Sequence, residues 1–115
     1  MSNSLHVAKK YEVHYATFSS FKNREQVFEN LLNYLDIDYA GSFPENFEIY
    51  KEHWQDGIDQ LKAQLQNAEN GIDIDGDLKG ILLGFDVYLP ELIKIMEDFL
   101  QESDPNNDYM ILTFF

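Results

Sequence analysis

Residues 45–65 read ENFEIYKEHWQDGIDQLKAQL and place two kinds of side chain at the spacing of an α-helix. The carboxylates recur every three or four residues, at Glu45, Glu48, Glu52, Asp56 and Asp59. The large apolar side chains follow two residues later, at Phe47, Tyr50, Trp54, Ile58, Leu61 and Leu65. Because an offset of two residues is roughly 200° around a helix, the pattern predicts a buried apolar face opposite an exposed acidic face.

The five carboxylates of this stretch, which we call the acidic column, repel one another. Like charges three or four residues apart on a helix cost roughly 0.2–0.5 kcal/mol per pair. Lys51 and Lys62 are too few to neutralise the column. Because folding alone does not need this repulsion, the acidic column indicates a cationic partner.

The predicted acidic helix begins just after Ser42, with Pro44 in its first turn, and ends near Ala68. Ser42 and Glu45 match a capping box, and Asn70 with the following glycine is a strong stop signal. Gly57 lies in the middle and costs about 1 kcal/mol relative to alanine, so we expect either a kink or close packing there.

The rest of the chain predicts an α+β domain, mostly helical, with about four helical segments and a small sheet formed by the N- and C-terminal strands. A period of two predicts a strand at Lys10–Phe18, and an almost unbroken apolar run predicts another at Tyr109–Phe115. Helical spacing predicts a helix at Arg24–Leu35. A helical register also continues from Leu78 to Leu100 through Pro90, which indicates two helices, or one sharply kinked, meeting near Leu89.

Composition limits the classes of function. The 115 residues carry a formal net charge of −13 and are 44% hydrophobic, which suits a single domain over residues 1–115. The charge argues against direct binding to nucleic acid or to an anionic membrane, so a basic protein is the expected partner. The chain has no cysteine, its first ten residues lack the apolar run of a signal peptide, and we expect a cytoplasmic protein.

No motif indicates catalysis, a metal or a cofactor. Asp73, Asp75 and Asp77 surround Gly76, but the EF-hand register would place Leu82 where the closing glutamate belongs. The three histidines lack the spacing of a zinc motif, and no nucleophile or phosphate-binding glycine loop is present. We therefore predict no catalytic residues, no metal ligands and no cofactor.

The predicted function is non-enzymatic protein binding. The acidic column would meet a basic surface with the help of three residues that precede it, Asp36, Asp38 and Tyr39. An inhibitor or immunity protein that masks a basic nuclease or toxin would have this character. Two alternatives stay open: a nucleic-acid mimic, and a small ligand-binding domain or enzyme with a pocket near Tyr11, His14, Tyr15 and Tyr88.

In element order and charge the chain resembles barstar-type inhibitors. Those proteins also begin and end with strands and carry an acidic helix. The resemblance implies an inhibitor function and covers outline and charge only.

We also predict a homodimer through the terminal strands. The run Tyr109–Phe115 is apolar on both faces, and a two-stranded sheet would leave two unpaired edges. Pairing across a twofold axis would bury those edges.

Overall fold

The computed structural model describes the backbone of residues 5–10, 14–18, 24–43, 45–103 and 105–114. It describes side chains over residues 5–7, 24–43, 46–103 and 105–114. The described strands are β1 Leu5–Lys10, β2 His14–Phe18, β3 Ala40–Ser42, β4 Glu45–Tyr50 and β5 Tyr109–Phe114. The described helices are α1 Glu25–Tyr34, α2 Lys51–Glu69, α3 Gly76–Phe85 and α4 Leu89–Glu102.

The five strands form a sheet in the order β2-β1-β5-β4-β3, and every neighbouring pair is antiparallel. The predicted α+β fold is confirmed, including the pairing of the N- and C-terminal strands, where Leu5 lies opposite Phe114 and Val7 opposite Leu112. The apolarity of β5, broken only by Thr113, follows from its central position. A central strand packs its side chains more completely than an edge strand does.

The predicted first strand, Lys10–Phe18, is divided in the structure. Its second half is β2, whereas Lys10 is the last residue of β1, a strand that the sequence reasoning missed. Residues 11–13 lie outside the described part of the chain.

Residues Glu45–Tyr50 form β4 instead of the first turns of the acidic helix, so the predicted helix start is wrong. Phe47 and Ile49 are buried, whereas Glu48 and Tyr50 are exposed. This alternation is the period of a strand with one buried face. The strand is favoured because its residues Phe47–Tyr50 pair with β5.

A tight hairpin joins β3 to β4. Ser42 and Glu45, predicted to form a capping box, are register partners in this hairpin. Gly41 has φ +104, and a Cβ at this position would lie 2.5 Å from the carbonyl oxygen of Asn46. Only glycine adopts this positive φ without strain and has no Cβ to clash with the Asn46 carbonyl oxygen. Gly41 therefore fixes the geometry of the hairpin.

The core lies between the helices and one face of the sheet. Trp54 of α2 is fully buried, stacks on Phe99 of α4 with ring centroids 5.5 Å apart, and donates its indole N–H to the Met96 carbonyl at 2.8 Å. Phe28 of α1 lies 6.0 Å from Phe47 of β4 between ring centroids. These contacts join the helical layer to the sheet.

Helices α3 and α4 meet where the sequence predicted a break. Asp86 ends α3 with φ +58, and Pro90 lies in the first turn of α4, where a missing N–H costs nothing. The backbone N–H of Tyr88 donates to the Glu91 carboxylate at 3.3 Å. The prediction of two helices meeting near Leu89 is confirmed.

The central position of β5 changes the argument for a homodimer. Within Tyr109–Phe114, β5 pairs with β4 through Tyr109–Leu112 and with β1 through Leu112–Phe114, so it is an interior strand and not the edge strand that was expected. The outer strands of the described sheet are β2 and β3. A homodimer stays a prediction, but it would have to use one of these strands.

No helix within the described ranges combines the length and the apolar character that crossing a membrane requires.

Candidate functional site

The acidic column is divided between two elements of the structure. Glu45 and Glu48 lie on β4, whereas Glu52, Asp56 and Asp59 lie on α2. Glu48 and the three carboxylates of α2 are exposed, as predicted. The side chain of Glu45 lies outside the described part of the chain.

Helix α2 orients its carboxylates through its buried side. The buried residues of this helix are Trp54, Gly57, Ile58 and Leu61. At about 100° per residue, Glu52, Asp56 and Asp59 lie on the opposite side. The opposed periodicity inferred from the sequence therefore holds for the part of the column that is helical.

The segment before β3 brings two further carboxylates to the flank of α2. Ile37 is buried against Gly57, where a Cβ would lie only 2.9 Å from the Ile37 Cδ1 atom and 3.1 Å from the Leu35 Cδ1 atom. The predicted close packing at Gly57 is confirmed. The side chains on either side of Ile37, Asp36 and Asp38, are exposed beside the helix.

A second contact holds the same segment. The Gln60 side chain donates from Nε2 to the Leu35 carbonyl oxygen at 3.1 Å, and the Ile37 N–H donates to the Leu32 carbonyl at 2.8 Å. Asp36 has φ +57, a conformation that aspartate tolerates better than most residues. The positions of Asp36 and Asp38 are thus fixed by buried neighbours on both sides.

A shallow cleft of about 270 Å³ lies where this segment, the sheet and the start of α2 meet. Its lining residues come from four segments of the chain: Asp38, Tyr39, Ala40, Glu48, Tyr50, His53 and Tyr109. Three of the predicted site residues, Asp38, Tyr39 and Glu48, therefore meet in one place.

Three aromatic side chains of the cleft were not predicted as site residues. The Tyr50 ring is 59% exposed and lies 6.2 Å from the Tyr109 ring and 5.7 Å from the His53 ring, between centroids. Helical spacing over residues 45–50 predicted that Tyr50 is buried, whereas these residues form β4 and Tyr50 is exposed. The apolar and polar alternation from Phe47 to Tyr50 was the signal that could have placed it on the open face of the sheet.

The Tyr39 side chain is held by contacts within the protein, and its predicted role in partner binding stays a prediction. Its ring is half-buried, with its centroid 5.4 Å from that of Phe43 and 5.9 Å from that of Phe47. Its hydroxyl donates to the Glu29 carboxylate at 2.6 Å. This hydrogen bond, with a smaller contribution from burial, raises the pKa of Tyr39 above its usual value. Tyr39 therefore forms a fixed wall of the cleft, and Tyr50 is the exposed tyrosine of its lining.

We call the exposed carboxylates around the cleft and along α2 the acidic surface. Its members are Asp36, Asp38, Glu48, Glu52, Asp56 and Asp59. None of them takes part in the ion pairs Lys62–Glu97 or Lys94–Asp98. Asp59 accepts a hydrogen bond from Gln55 at 3.1 Å, which leaves its charge in place. The acidic surface thus consists of six exposed carboxylates, two of which, Asp38 and Glu48, line the aromatic cleft.

Among the described residues, no group of three or more histidine, aspartate or glutamate side chains is arranged to hold a metal ion. Asp75 belongs to the sequence that was considered as a calcium loop. Its carboxylate accepts hydrogen bonds from the Tyr34 hydroxyl at 2.7 Å and from Gln64 Nε2 at 3.1 Å.

Of the residues proposed for a ligand pocket, Tyr11 lies outside the described residues and Tyr88 lies at the start of α4. That alternative stays a prediction.

Comparisons with known proteins returned no match: no family model matches the chain, and no curated protein or solved structure matches it either. The resemblance in outline to barstar-type inhibitors gains no support from these comparisons. The candidate site therefore rests on the geometry and charge described above.

Proposed function

We propose that this protein is a non-enzymatic binding module whose acidic surface recognises a basic protein. The observation that carries the proposal is a set of six exposed carboxylates from a loop, a strand and a helix, two of which, Asp38 and Glu48, line a cleft in which Tyr50 is 59% exposed. Charged surfaces steer association, and exposed tyrosines are common interface anchors. The two features together fit a protein interface better than either does alone.

In its concrete form, the proposal is an inhibitor or immunity protein that masks the basic site of a nuclease or toxin. A nuclease site must attract a polyanion, so it presents lysine and arginine side chains to its surroundings. The acidic surface would neutralise those side chains while Tyr50 packs between them. A cytoplasmic location is part of this proposal.

A nucleic-acid mimic is a second candidate, because the carboxylates of the acidic surface are spread over three elements instead of one helix face. The two candidates differ in what competes for the partner. Duplex DNA or RNA would displace a mimic from a nucleic-acid-binding protein. A toxin inhibitor anchored by Tyr50 would be displaced only where the nucleic acid occupies the same toxin site.

The test begins with a partner captured from the native cell by the immobilised chain and then purified. Its affinity is measured for the wild type and for the variant E48Q/E52Q/D56N. Because an exposed charge pair contributes about 0.2–1 kcal/mol, three lost pairs should weaken the complex about threefold to about a hundredfold. A matched control, E69Q/D73N/E91Q, makes the same change in charge away from the acidic surface.

The control is well separated because Glu69 ends α2, about 25 Å along the helix from Glu52. We expect it to bind nearly as tightly as the wild type. If both variants lose affinity equally, net charge explains binding and the acidic surface is not the site. If neither loses affinity, the partner binds elsewhere and the proposal fails.

A further inference from the structure

A second surface feature, separate from the acidic surface, lies between the end of α2, the outer side of α3 and the start of α4. It is a groove of about 610 Å³. Its walls are mainly apolar and include Leu65, Ile74, Leu82, Leu83, Val87 and Tyr88. We call it the apolar groove.

The side chains at the edge of the apolar groove project into solvent. Leu83 is 82% exposed and Tyr88 is 79% exposed. The neighbouring Ile72, in the loop that leads to α3, is 57% exposed. Large apolar side chains that are clustered and exposed on one surface are typical of an interaction site, whereas isolated ones are ordinary.

The surroundings of the groove favour a helical occupant. The groove is lined by residues of three helices and their connections, so it presents no strand edge to which an extended peptide could be added. A partner segment lying against apolar side chains must satisfy its own backbone hydrogen bonds, and a helix does so. A small ligand is less suitable, since such ligands are usually buried on most sides and the groove is open along Leu83 and Tyr88.

Charge further defines the occupant. Residues 65–91, which contain every residue of the groove, hold six acids and one base. That base, Lys79, and one of the acids, Asp86, lie in the lining itself, so the excess of acids belongs to the surroundings of the groove. A second copy of this chain, with its net charge of −13, would bring like charge to the same surface. A helix with lysine or arginine beside its apolar face is complementary.

We propose that the apolar groove binds an amphipathic helix of a partner protein, with leucine-like side chains entering the groove and basic side chains beside them. This interface is independent of the acidic surface. The chain would then have two binding surfaces, one dominated by charge and the other by apolar contact.

The test uses a labelled peptide of about 18 residues, or five helical turns, with leucines at helical spacing and lysines elsewhere. A second peptide has the same composition in scrambled order, so that its leucines share no face. Fluorescence polarisation at physiological salt should show saturable one-to-one binding of the first peptide and much weaker binding of the second.

The matched protein variants locate the peptide. L83S/Y88S removes the two most exposed apolar side chains of the groove and should weaken binding by about tenfold or more. Both side chains are exposed, and serine is a favoured residue at the N-cap position that Tyr88 occupies, so the fold should persist. The control E52Q/D56N/D59N, on the acidic surface, should change affinity by no more than about twofold.

The proposal is overturned if the peptide does not bind, if the scrambled peptide binds equally well, or if L83S/Y88S binds as the wild type does. The last two results would mean attraction by net charge alone. Sedimentation of the wild type without peptide measures its oligomeric state, which tests whether a second copy of the chain occupies the groove. A dimer that L83S/Y88S dissociates would make a second copy the occupant and would also overturn the proposal.

Discussion

Trp54 is the side chain on which the orientation of α2, and with it the acidic surface, depends most. It is fully buried, its ring stacks on Phe99 with an interplanar angle of 3°, and its indole N–H donates to the Met96 carbonyl at 2.8 Å. We predict that Trp54→Ala destabilises the protein strongly, and each of these contacts contributes to the magnitude.

An aromatic side chain of this size buries about 150–250 Å², which at about 25 cal/mol per Å² corresponds to about 4–6 kcal/mol as an upper bound. Substitutions of this kind in cores cost about 3–5 kcal/mol. We therefore expect Trp54→Ala to lower the free energy of unfolding by about 3–5 kcal/mol. This is a large part of the about 5–15 kcal/mol typical of a domain.

Two variants separate the contributions. Trp54→Phe keeps a ring against Phe99 but loses the hydrogen bond to Met96, so we expect a cost of about 1–2 kcal/mol. Gln66→Ala, at an exposed position of the same helix, should stay within about 0.5 kcal/mol.

The assay is urea unfolding followed by far-ultraviolet circular dichroism. Trp54 is the single tryptophan of the chain, so its fluorescence is lost in two of these variants. A cost below about 1 kcal/mol for Trp54→Ala, compared with the about 3–5 kcal/mol expected, would refute the packing described for α2.

Two further predictions concern charge and pH. The variant E48Q/E52Q/D56N should be as stable as the wild type or slightly more stable, because repulsion between exposed carboxylates is relieved; loss of the fold in thermal unfolding would show that these groups are structural. Burial, together with the hydrogen bond to Asp75, raises the pKa of Tyr34 to about 12. The unfolded chain therefore releases this proton first, and stability should be full below about pH 10 and fall towards about pH 12. Urea unfolding across this pH range should show a smaller fall in the free energy of unfolding for Tyr34→Phe than for the wild type. An equal fall would mean that Tyr34 does not cause the pH dependence.

The helices could be predicted from the sequence where a local signal was strong. Apolar residues at helical spacing identified α1, α3 and α4, and Pro90 located the boundary between the last two. These signals act over a few residues, so one sequence is enough to detect them.

Strand β4 could not be predicted in the same way. The carboxylates at Glu45, Glu48 and Glu52 fit helical spacing, while Phe47 and Ile49 fit a strand, so the local signals conflict. The conflict is resolved by pairing with β5, about sixty residues further along the chain. Tertiary contacts of this range commonly override local preference.

The candidate site was predicted in its charge but not in its shape. The exposure of Glu48, Glu52 and Asp56 followed from composition and spacing. The cleft did not, because it joins Asp38 and Tyr109, which are brought together only by the sheet. The contact of Ile37 with Gly57 that holds the loop carboxylates is likewise tertiary.

We expect a basic partner to be recognised by the acidic surface and not by net charge alone. The most direct measurement is the association rate constant of the purified partner as a function of salt, by stopped flow, for the wild type, E48Q/E52Q/D56N and E69Q/D73N/E91Q. The two variants have the same net charge, so they differ only in where charge was removed. We predict slower association and a flatter salt dependence for E48Q/E52Q/D56N than for the control. Identical rates and identical salt dependence for the two variants would contradict it.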